Sequence, residues 1–428
     1  MNTESEQLSL EQWLSWIEAC HPAEIELGLG RVSEVAGRMK LDLGQSQVIT
    51  IAGTNGKGST VAYLESILRG AGYSVGCYTS PHFIKYNERI RINGSNASDQ
   101  SICYAFAAIN QAREEIELTY FEYGTLAALQ IFTQAQPDVV LLEVGLGGRL
   151  DAVNIVDADI SVVTTVSIDH VDWLGDDRNQ IGREKAGVFR ADRPAVCGEP
   201  EPPLSIAEVA AETGARLVQV GVDFSYRLGD AGWSWSGFDA GGQEVQLNGL
   251  ALPQLPLANA ATAAQVVKLL PLVVSDQQIS DGISAARLTG RMQHVQLPEG
   301  DCWLDVAHNP EAAELLAKRL ADSSAPVRLV LGMLADKDIG AVVELIRPVV
   351  SSWYLAGLDV PRGQSADNLA QHMIESDHHR KFSSVAAALG QARADLQAGE
   401  RLIVAGSFFT VSDALEVLSG EAGDGAES

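Results

Sequence analysis

The sequence has few of the features that mark secreted, membrane or nucleic-acid-binding proteins. Its five cysteines are scattered, odd in number and without the spacing of metal ligands. No apolar run approaches the roughly 20 residues needed to cross a bilayer, and the polar, acidic residues 1–7 are unlike a signal peptide. The charge balance is 30 Lys and Arg against 56 Asp and Glu, a net charge of -26. We therefore expect a reduced, cytoplasmic protein with no general affinity for nucleic acid or membrane.

The composition is that of an ordinary globular protein, with 46% hydrophobic and 20% charged residues. A length of 428 residues is too great for one compact core and predicts two domains. Apolar segments typical of buried strands alternate with helical patterns, which predicts the α/β class with mainly parallel sheets covered by helices. The predicted strands include residues 48–52, 139–144, 160–166, 327–331 and 402–405, and the predicted helices include 124–134 and 311–320.

The strongest chemical signal is a glycine-rich loop between a predicted strand and a predicted helix. The loop consists of Gly53, Thr54, Asn55, Gly56, Lys57, Gly58, Ser59 and Thr60. Such a loop turns backbone N–H groups toward one point, and the following helix adds its positive end. Lys57 can reach outer phosphates, and the Ser59 hydroxyl can bind Mg²⁺. A glycine-rich turn alone is more often a tight connection, but the strand, the helix and the lysine together predict a phosphate site.

We place the boundary between the two predicted domains near residues 288–291, where the helical pattern breaks. We expect residues 1–288 to form an N-terminal P-loop ATPase-type domain with a mainly parallel sheet. Residues 289–428 are expected to form a smaller Rossmann-like α/β domain. Residues 223–252 are rich in glycine and tryptophan and predict a small antiparallel sheet, while residues 421–428 read as a disordered acidic tail.

Three further residues lie where ligands bind in α/β sheets. Glu143 ends a predicted strand before a run of glycines, and His170 follows another strand. Lys185 lies in a helical pattern. From the residues alone, each has an ordinary alternative: a solvated strand-end carboxylate, a surface or core histidine, and a surface lysine. Because Mg²⁺ prefers oxygen ligands, His170 stays undecided at this level.

A second motif lies in the C-terminal half. Asn309 and Pro310 are typical of the cap and first position of a helix. Asp305 and His308 then lie on a strand-to-helix turn, where a ligand would bind. Asn259, read alone, favours the N-cap of an alanine-rich helix.

Taken together, these motifs resemble the Mur ligase superfamily and, within it, the folylpolyglutamate synthase and dihydrofolate synthase branch. The shared segments are Gly-Thr-Asn-Gly-Lys-Gly-Ser, Glu-Val-Gly-Leu-Gly-Gly-Arg-Leu-Asp, Asp-His, Arg-Glu-Lys-Ala-Gly and Asp-Val-Ala-His-Asn-Pro, in that order. The resemblance runs from residue 24 to residue 408. The chain departs from the family pattern at Val153, where threonine is usual, and at Phe408, where close relatives often have histidine.

The resemblance implies binding of ATP and Mg²⁺, expected as two ions. It implies that Ser59, Glu143 and His170 are metal ligands and that Lys185 is N-carboxylated, which would turn this cation into an anion. Lys57, His170 and Lys185 would be the catalytic groups. On the nucleotide side it implies roles for four residues: Asn259 beside the nucleotide, Arg291 at the phosphates, Asp305 at the ribose or hinge and His308 at the adenine.

The resemblance also implies a substrate side. Ser80, Pro81, His82 and Arg89 match the substrate-proximal segment, although Arg89 and Arg91 also fit the solvent face of a strand. Thr119, Phe121 and Asp151 are implied to surround a pterin, although aromatic residues in 119–125 are more often core residues.

The implied reaction is ATP-dependent addition of L-glutamate to a carboxylate through an acyl phosphate. Its acceptors would be 7,8-dihydropteroate and the γ-carboxylate of reduced folates, because residues 21–31 and 119–125 look most like the bifunctional bacterial type. The alternatives are a folylpolyglutamate synthase alone, a muramyl ligase or a nucleotide switch. A muramyl ligase normally has a further N-terminal domain, for which the phosphate loop lies too early. A monomer is expected by resemblance.

Overall fold

The structure is a computed structural model that describes residues 8–20, 26–230 and 232–424. Three predictions fall partly or wholly outside these residues: the polar start at 1–7, residues 21–25 of the N-terminal segment, and the tail at 425–428. The prediction of disorder from residue 421 is wrong for its first four residues. The last helix continues to Asp424, because residues 408–424 contain no helix-breaking proline.

The chain divides into two compact units, Met1–Arg287 and Leu288–Ser428. The sequence-based boundary of 288/289 lies one residue away. In both units, short strands alternate with helices, as the α/β pattern predicts. None of the helices in the described part combines the length and the apolar character needed to span a bilayer.

The described residues of the first unit form a mainly parallel sheet in the order β4-β3-β2-β5-β1-β6-β7-β8. Its strands are β1 (Gln47–Ala52), β2 (Val75–Tyr78), β3 (Ile90–Ile92), β4 (Ser95–Asn96), β5 (Val139–Glu143), β6 (Ile160–Val163), β7 (Pro194–Cys197) and β8 (Arg216–Gln219). Strand β1 is central and pairs in parallel with β5 and β6. Only the pairs of β3 with β2 and β4 are antiparallel among these strands.

Helices cover this sheet. They are α1 (Leu10–Cys20), α2 (Gly30–Met39), α3 (Lys57–Gly70), α4 (Asp99–Arg113), α5 (Tyr120–Ala135), α6 (Val171–Leu174), α7 (Arg178–Ala186), α8 (Leu204–Thr213), α9 (Leu257–Leu269) and α10 (Asp276–Ala285). Val48 and Leu142 of the strands pack into one apolar core with residues of α1, α4 and α5. Helix α3 contacts β1, β2 and β5 and packs against α9 and α10.

The four parallel strands β2, β5, β1 and β6 lie side by side and point the same way. Their carboxyl ends therefore share one edge of the sheet, where ligands bind in this class of fold. The glycine-rich loop follows β1 and Glu143 ends β5. Ser80 and His170 follow β2 and β6 along the same edge.

Residues 225–250 form the predicted antiparallel sheet. Strands β9 (Ser225–Gly229), β10 (Gly232–Phe238) and β11 (Glu244–Leu250) pair in the order β11-β10-β9. Trp233 and Trp235 are buried. Helix α9 contacts β9 and β10, which ties this small sheet to the first unit.

The described residues of the second unit form a sheet in the order β12-β13-β17-β14-β15-β16. Its strands are β12 (Gln293–Leu297), β13 (Gly300–Asp305), β14 (Val327–Leu331), β15 (Ser352–Ala356), β16 (His379–Phe382) and β17 (Arg401–Ala405). Its helices are α11 (Pro310–Ala321), α12 (Ile339–Ile346), α13 (Ala366–Ala370), α14 (Val385–Ala394) and α15 (Phe408–Asp424). All pairs are parallel except β12 with β13.

Candidate active site

The glycine-rich loop is held against the strand end of β6. Thr54 N–H donates to the carbonyl oxygen of Thr165 at 2.9 Å, and the Thr54 hydroxyl donates to the carbonyl of Ser167 at 3.0 Å. Asn55 N–H donates to the Thr165 hydroxyl at 3.1 Å, while the Thr164 hydroxyl donates to the Asn55 carbonyl at 2.6 Å. These bonds fix the loop before any ligand arrives.

Two glycines of this loop cannot be replaced without displacing a neighbour. Gly53 and Gly56 have φ angles of 148° and 88°. A Cβ on Gly53 would overlap the Thr164 hydroxyl, and one on Gly56 would lie 2.7 Å from Asn259 Oδ1. Glycine is therefore required at both positions by backbone conformation and by close approach. Helix α3 begins at Lys57, directly after Gly56, so its N-terminus faces the loop.

Asn259 braces the phosphate loop instead of capping its own helix. Its amide Nδ2 donates to Ser59 Oγ at 2.8 Å, and the residue is 6% exposed. The N-cap of α9 is Pro256, so the expectation that Asn259 is an N-cap is wrong. The prediction failed because this contact spans 200 positions of the chain.

The three proposed catalytic side chains line one small cavity. Lys57, His170 and Lys185 are in its wall, together with Gly53 and Thr54 of the loop. The remaining lining comes from Val144, Gly145, Leu146, Gly147, Asp169 and Leu174. The Lys57 ammonium donates to the carbonyls of Gly53 and Thr54 at 2.9 and 3.1 Å. A phosphate in the cavity would meet this ammonium, directly before the N-terminal turn of α3.

Lys185 is not the surface lysine that its helical pattern favours. It lies on α7 and is 4% exposed. A lysine ammonium at such a buried position requires a compensating partner or a change of charge. The placement in the cavity wall makes Lys185 part of the candidate site.

Glu143 is also buried, at 5% exposure, so it is no solvated strand-end carboxylate. Its Oε2 accepts the backbone N–H of Ser80 at 3.2 Å, which joins the ends of β5 and β2. The Ser59 hydroxyl is 4% exposed and donates to the Gly56 carbonyl at 3.1 Å. Both groups are oxygen donors of the kind that Mg²⁺ prefers.

The donor set of the proposed metal site is therefore one hydroxyl, one carboxylate and one imidazole. Within the described ranges, no three His, Cys, Asp or Glu side chains are grouped as metal ligands. The predicted set contains only two residues of these types, Glu143 and His170. Ser59 and Glu143 fit a hard divalent cation, whose remaining positions are commonly filled by water and by substrate phosphates.

The predicted pterin residues lie on two neighbouring segments, the start of α5 and the loop that carries Asp151. Thr119 is the N-cap of α5, and the Phe121 ring lies against the backbone of Gly145. Asp151 is 3% exposed and accepts the backbone N–H groups of Gly145 and Leu146 at 3.0 and 2.8 Å. Burial raises the pKa of the Asp151 carboxyl to about 6, although these backbone N–H groups act in the opposite direction.

His82 and Arg89 form a pair beside the Ser80 loop. Arg89 Nε donates to His82 Nδ1 at 2.9 Å, so the neutral imidazole carries its proton on Nε2. Burial and the Arg89 guanidinium lower the pKa of His82 to about 4. Arg89 also lies over the rings of Tyr86 and Tyr120, 5.5 and 5.6 Å from their centroids.

Arg91 does not lie on a solvent face, so that alternative is wrong for this residue. Its guanidinium donates to Glu65 Oε2 of α3 at 2.8 Å and to the Thr79 hydroxyl at 3.0 Å. The pair links the helix of the phosphate loop to the segment that carries Ser80 and Pro81. This pair was not predicted, because Glu65 lies among apolar residues of α3 and is 26 positions from Arg91.

In the second unit, the predicted nucleotide residues gather at the carboxyl end of β13. Asp305 Oδ2 accepts Met292 N–H at 2.8 Å, and Oδ1 accepts Ala307 N–H at 2.9 Å. The His308 and Phe408 rings lie 6.1 Å apart, and the Arg291 guanidinium lies 5.3 Å from the Phe408 ring centroid. Asn309 caps α11 as predicted, accepting Ala312 N–H at 3.0 Å.

Comparison with known proteins places this geometry in a class. The Mur ligase middle domain pattern matches residues 51–225, and the Mur ligase glutamate ligase domain pattern matches residues 290–408. The fold and the two matches define a ligase of the Mur type.

Similarity over the whole chain defines the family more narrowly. A dihydrofolate synthase/folylpolyglutamate synthase of Escherichia coli is 49% identical over 96% of this chain and 95% of its own length. The structure of E. coli FolC with DHPP and ADP has a TM-score of 0.93 at 48% identity, covering 98% of this chain and 100% of that one. A Yersinia pestis bifunctional folylpolyglutamate synthase/dihydrofolate synthase with AMPPNP and Mn ion has a TM-score of 0.91 at 48% identity, covering 97% and 100%. The chain belongs to the dihydrofolate synthase/folylpolyglutamate synthase family.

Proposed function

We propose that this protein is an ATP-dependent ligase that joins L-glutamate to 7,8-dihydropteroate and to the γ-carboxylate of reduced folates. The observation that carries the proposal is the single cavity lined by Lys57, His170 and Lys185. It lies at the strand ends that also carry Glu143 and the Asp151 loop. Similar proteins bind ADP, DHPP or an ATP analogue, which supports this assignment.

ATP would bind with its phosphates on the loop of residues 53–60. Backbone N–H groups and the N-terminus of α3 attract the phosphates, and Lys57 balances their charge. Asn259 acts on the same loop through Ser59. In the second unit, we assign Arg291 to the phosphates, Asp305 to the ribose and His308 to the adenine.

Mg²⁺ would be held by Ser59, Glu143 and His170, and we propose two ions. When bound, the metal supplies positive charge that stabilises a phosphoryl group during transfer. Lys185, if N-carboxylated, contributes an anion in place of a buried ammonium. This change would account for a lysine at 4% exposure in the wall of the cavity that Lys57 and His170 also line.

The reaction then proceeds in two steps. A carboxylate oxygen of the acceptor attacks the γ-phosphorus of ATP, ADP leaves, and an acyl phosphate forms. The neutral α-amine of L-glutamate attacks the acyl carbon, the carbon–oxygen bond to phosphate breaks, and an amide remains. The proton that the nitrogen loses leaves with the phosphate. Lys57 stabilises the transferred charge in the first step. Exclusion of water from the cavity protects the acyl phosphate from hydrolysis.

The acceptor is assigned from the residues at the start of α5 and around Asp151. A flat pterin suits the Phe121 ring, and its amino-amide edge suits the Asp151 carboxylate and Thr119. Ser80 donates its N–H to Glu143, and His82 and Arg89 pair with each other two and nine residues further along the chain. We assign Ser80, Pro81, His82 and Arg89 to the rest of the acceptor. The five cysteines are free thiols, which supports a reducing cytoplasm. We propose a monomer.

The test is release of phosphate from Mg²⁺-ATP by the purified protein, with L-glutamate and each acceptor added or omitted. We expect release that requires both co-substrates, for either acceptor. Release with L-glutamate and the folate, but not with L-glutamate and 7,8-dihydropteroate, would indicate a folylpolyglutamate synthase. Release at the same rate with and without the co-substrates would indicate a nucleotide switch.

The modification of Lys185 has its own test. Protein equilibrated with ¹³C-bicarbonate should give a protein-bound carbamate signal in ¹³C NMR. Lys185→Arg should lack that signal while Lys268→Arg, a control on α9 paired with Asp276, retains it. A signal equal in both variants would contradict carboxylation at Lys185.

A further inference from the structure

The segment of residues 26–31 contacts both parts of the chain that are assigned to the pterin, the start of α5 and the Asp151 loop. Gly28 N–H donates to the carbonyl oxygen of Leu150, next to Asp151, at 3.3 Å. Arg31, in the first turn of α2, donates to Glu122 Oε1 at 3.2 Å, next to Phe121. Helix α2 also contacts α5 and the 3₁₀ turn at Ala152–Ile155. One short segment therefore connects the start of α5 with the Asp151 loop, through contacts at Glu122 and Leu150.

Glu122, next to Phe121 in the first turn of α5, is held by two hydrogen bonds to Thr119. Its Oε2 accepts Thr119 N–H at 2.8 Å, and the Thr119 hydroxyl accepts Glu122 N–H at 3.2 Å, a reciprocal capping box. The Glu122 side chain is only 3% exposed, whereas that of Arg31 is 27% exposed. A carboxylate this buried needs a cationic partner, and Arg31 supplies it.

Arg31 is held from its other side as well. Its guanidinium is paired with the Glu26 carboxylate and donates to the Glu26 carbonyl oxygen at 3.0 Å. A planar guanidinium can keep several acceptors in fixed directions, which a lysine ammonium on a flexible stem cannot. Arg31 thus connects Glu26 with Glu122 in the capping box of α5, and we call these contacts the Arg31 clamp.

We propose that Arg31 is a positioning residue for the pterin site, acting through Glu122 to hold the start of α5, which carries Phe121, in place beside the Asp151 loop. The proposal rests on the proposed function, because it assumes that these two segments bind the acceptor. It assigns no contact between Arg31 and the substrate. Loss of Arg31 should therefore weaken acceptor binding, and leave ATP binding and the chemical steps at saturation largely intact.

The experiment must separate this role from simple charge neutralisation. Arg31→Met leaves the Glu122 charge buried without this cation, and that change alone can destabilise the fold. Glu122→Gln removes the charge and keeps an amide oxygen for the capping box. The double variant Arg31→Met/Glu122→Gln therefore restores charge balance without restoring the clamp. Arg38→Met is the matched control, since Arg38 lies on the same helix and bonds Ala112 and Arg113 carbonyls at 3.0 and 3.2 Å.

Steady-state kinetics with 7,8-dihydropteroate and unfolding by denaturant are measured for all five proteins. We expect the acceptor KM to rise about tenfold in Arg31→Met and to stay raised in the double variant, although the double variant regains stability. The ATP KM and kcat should change less than about threefold, and Arg38→Met should match the wild type.

Two results would overturn the proposal. Recovery of the acceptor KM in the double variant would show that Arg31 only neutralises Glu122. An unchanged acceptor KM in Arg31→Met would show that acceptor binding does not depend on the Arg31 clamp. A wild-type protein that never turns over the acceptor would instead refute the proposed function itself.

Discussion

At the scale of single residues, Asp151 combines a buried carboxyl with a proposed contact to the acceptor. Burial raises its pKa to about 6, so its charge changes within the range of ordinary assays. The protonated form cannot accept hydrogen bonds with both oxygens as the carboxylate does. The pH dependence of acceptor binding should therefore report this one group.

We predict that the KM for 7,8-dihydropteroate rises as the pH falls below about 6, because Asp151 becomes protonated. Asp151→Asn, which has no charge at any pH, should show a raised KM that is nearly constant between pH 5 and 8. His82 should add no step near pH 6.5, since its pKa is lowered to about 4. A wild-type KM independent of pH across this interval would contradict the assignment of Asp151.

The same pKa predicts a stability effect of defined sign. Because the folded-state pKa is raised from 3.8 to about 6, the neutral acid stabilises the fold at low pH and this contribution is lost as the pH rises through 6. The stability of Asp151→Asn relative to wild type should then increase by up to about 3 kcal/mol between pH 4 and 7.5. Denaturant unfolding of both proteins over this range measures it. A constant difference would mean that the pKa is not raised.

At the scale of elements, the site depends on strands that end together and on braces between distant helices. Helix α9 reaches the phosphate loop through Asn259, whose amide donates to Ser59 and lies against Gly56. The loop is also bonded to the end of β6 through Thr164 and Thr165. Nucleotide affinity should thus depend on a residue that need not touch the nucleotide.

We predict that Asn259→Ala raises the ATP KM about tenfold. Loss of one buried hydrogen bond costs about 0.5–1.5 kcal/mol, and the vacated space lets the Gly56 turn relax. Asn110→Ala, which removes an amide that bonds Arg113 at 2.9 Å on α4, is the control and should leave the ATP KM unchanged. Equal ATP KM values in the two variants would contradict a brace at Asn259.

Much of the element order follows from local pattern. The strand before the phosphate loop, the helix after it and the cap at Asn309 were predicted because each depends on neighbours within a few residues. Strand β6 ends at Val163 instead of the predicted 166. Thr164 N–H still donates to Ala52 at the end of β1, but the carbonyl of Thr165 and the hydroxyls of Thr164 and Thr165 bond the glycine-rich loop, where β1 has ended.

The parts that escaped prediction depend on long-range contacts. The burial of Lys185 and the role of Asn259 arise only when α7 and α9 pack on the sheet. The Arg31–Glu122 pair spans 91 positions, and neither residue stands out locally. A weak signal existed at Glu122, because Thr-x-x-Glu is a capping box that marks the start of a helix.

At the scale of the whole molecule, charge opposes the proposed chemistry. The net charge is -26, whereas ATP and both acceptors are anions. Lys57, Arg89 and the loop dipoles must overcome this field at short range. Screening by salt weakens the long-range repulsion first, because exposed charges beyond about 10 Å are screened at roughly 0.1 M ionic strength.

We predict that kcat/KM for the anionic substrates rises when ionic strength increases from about 0.02 to about 0.15 M. The increase should appear in KM and leave kcat nearly constant, since groups that act on a bound substrate do so over a few ångströms, where salt screens little. Choline chloride serves as the salt, with potassium chloride as a check on specific ion effects. A steady fall of kcat/KM with salt would mean that local attraction dominates at all distances.

The central claim is that one site adds L-glutamate to two kinds of acceptor, and product mass tests it most directly. Purified protein is incubated with Mg²⁺-ATP, L-glutamate and either 7,8-dihydropteroate or a reduced folate, and the products are identified by mass spectrometry. The account predicts that each acceptor gains the mass of a glutamyl residue, and that Lys57→Met abolishes both gains. No glutamyl product from either acceptor, in protein that still binds ATP, would contradict it.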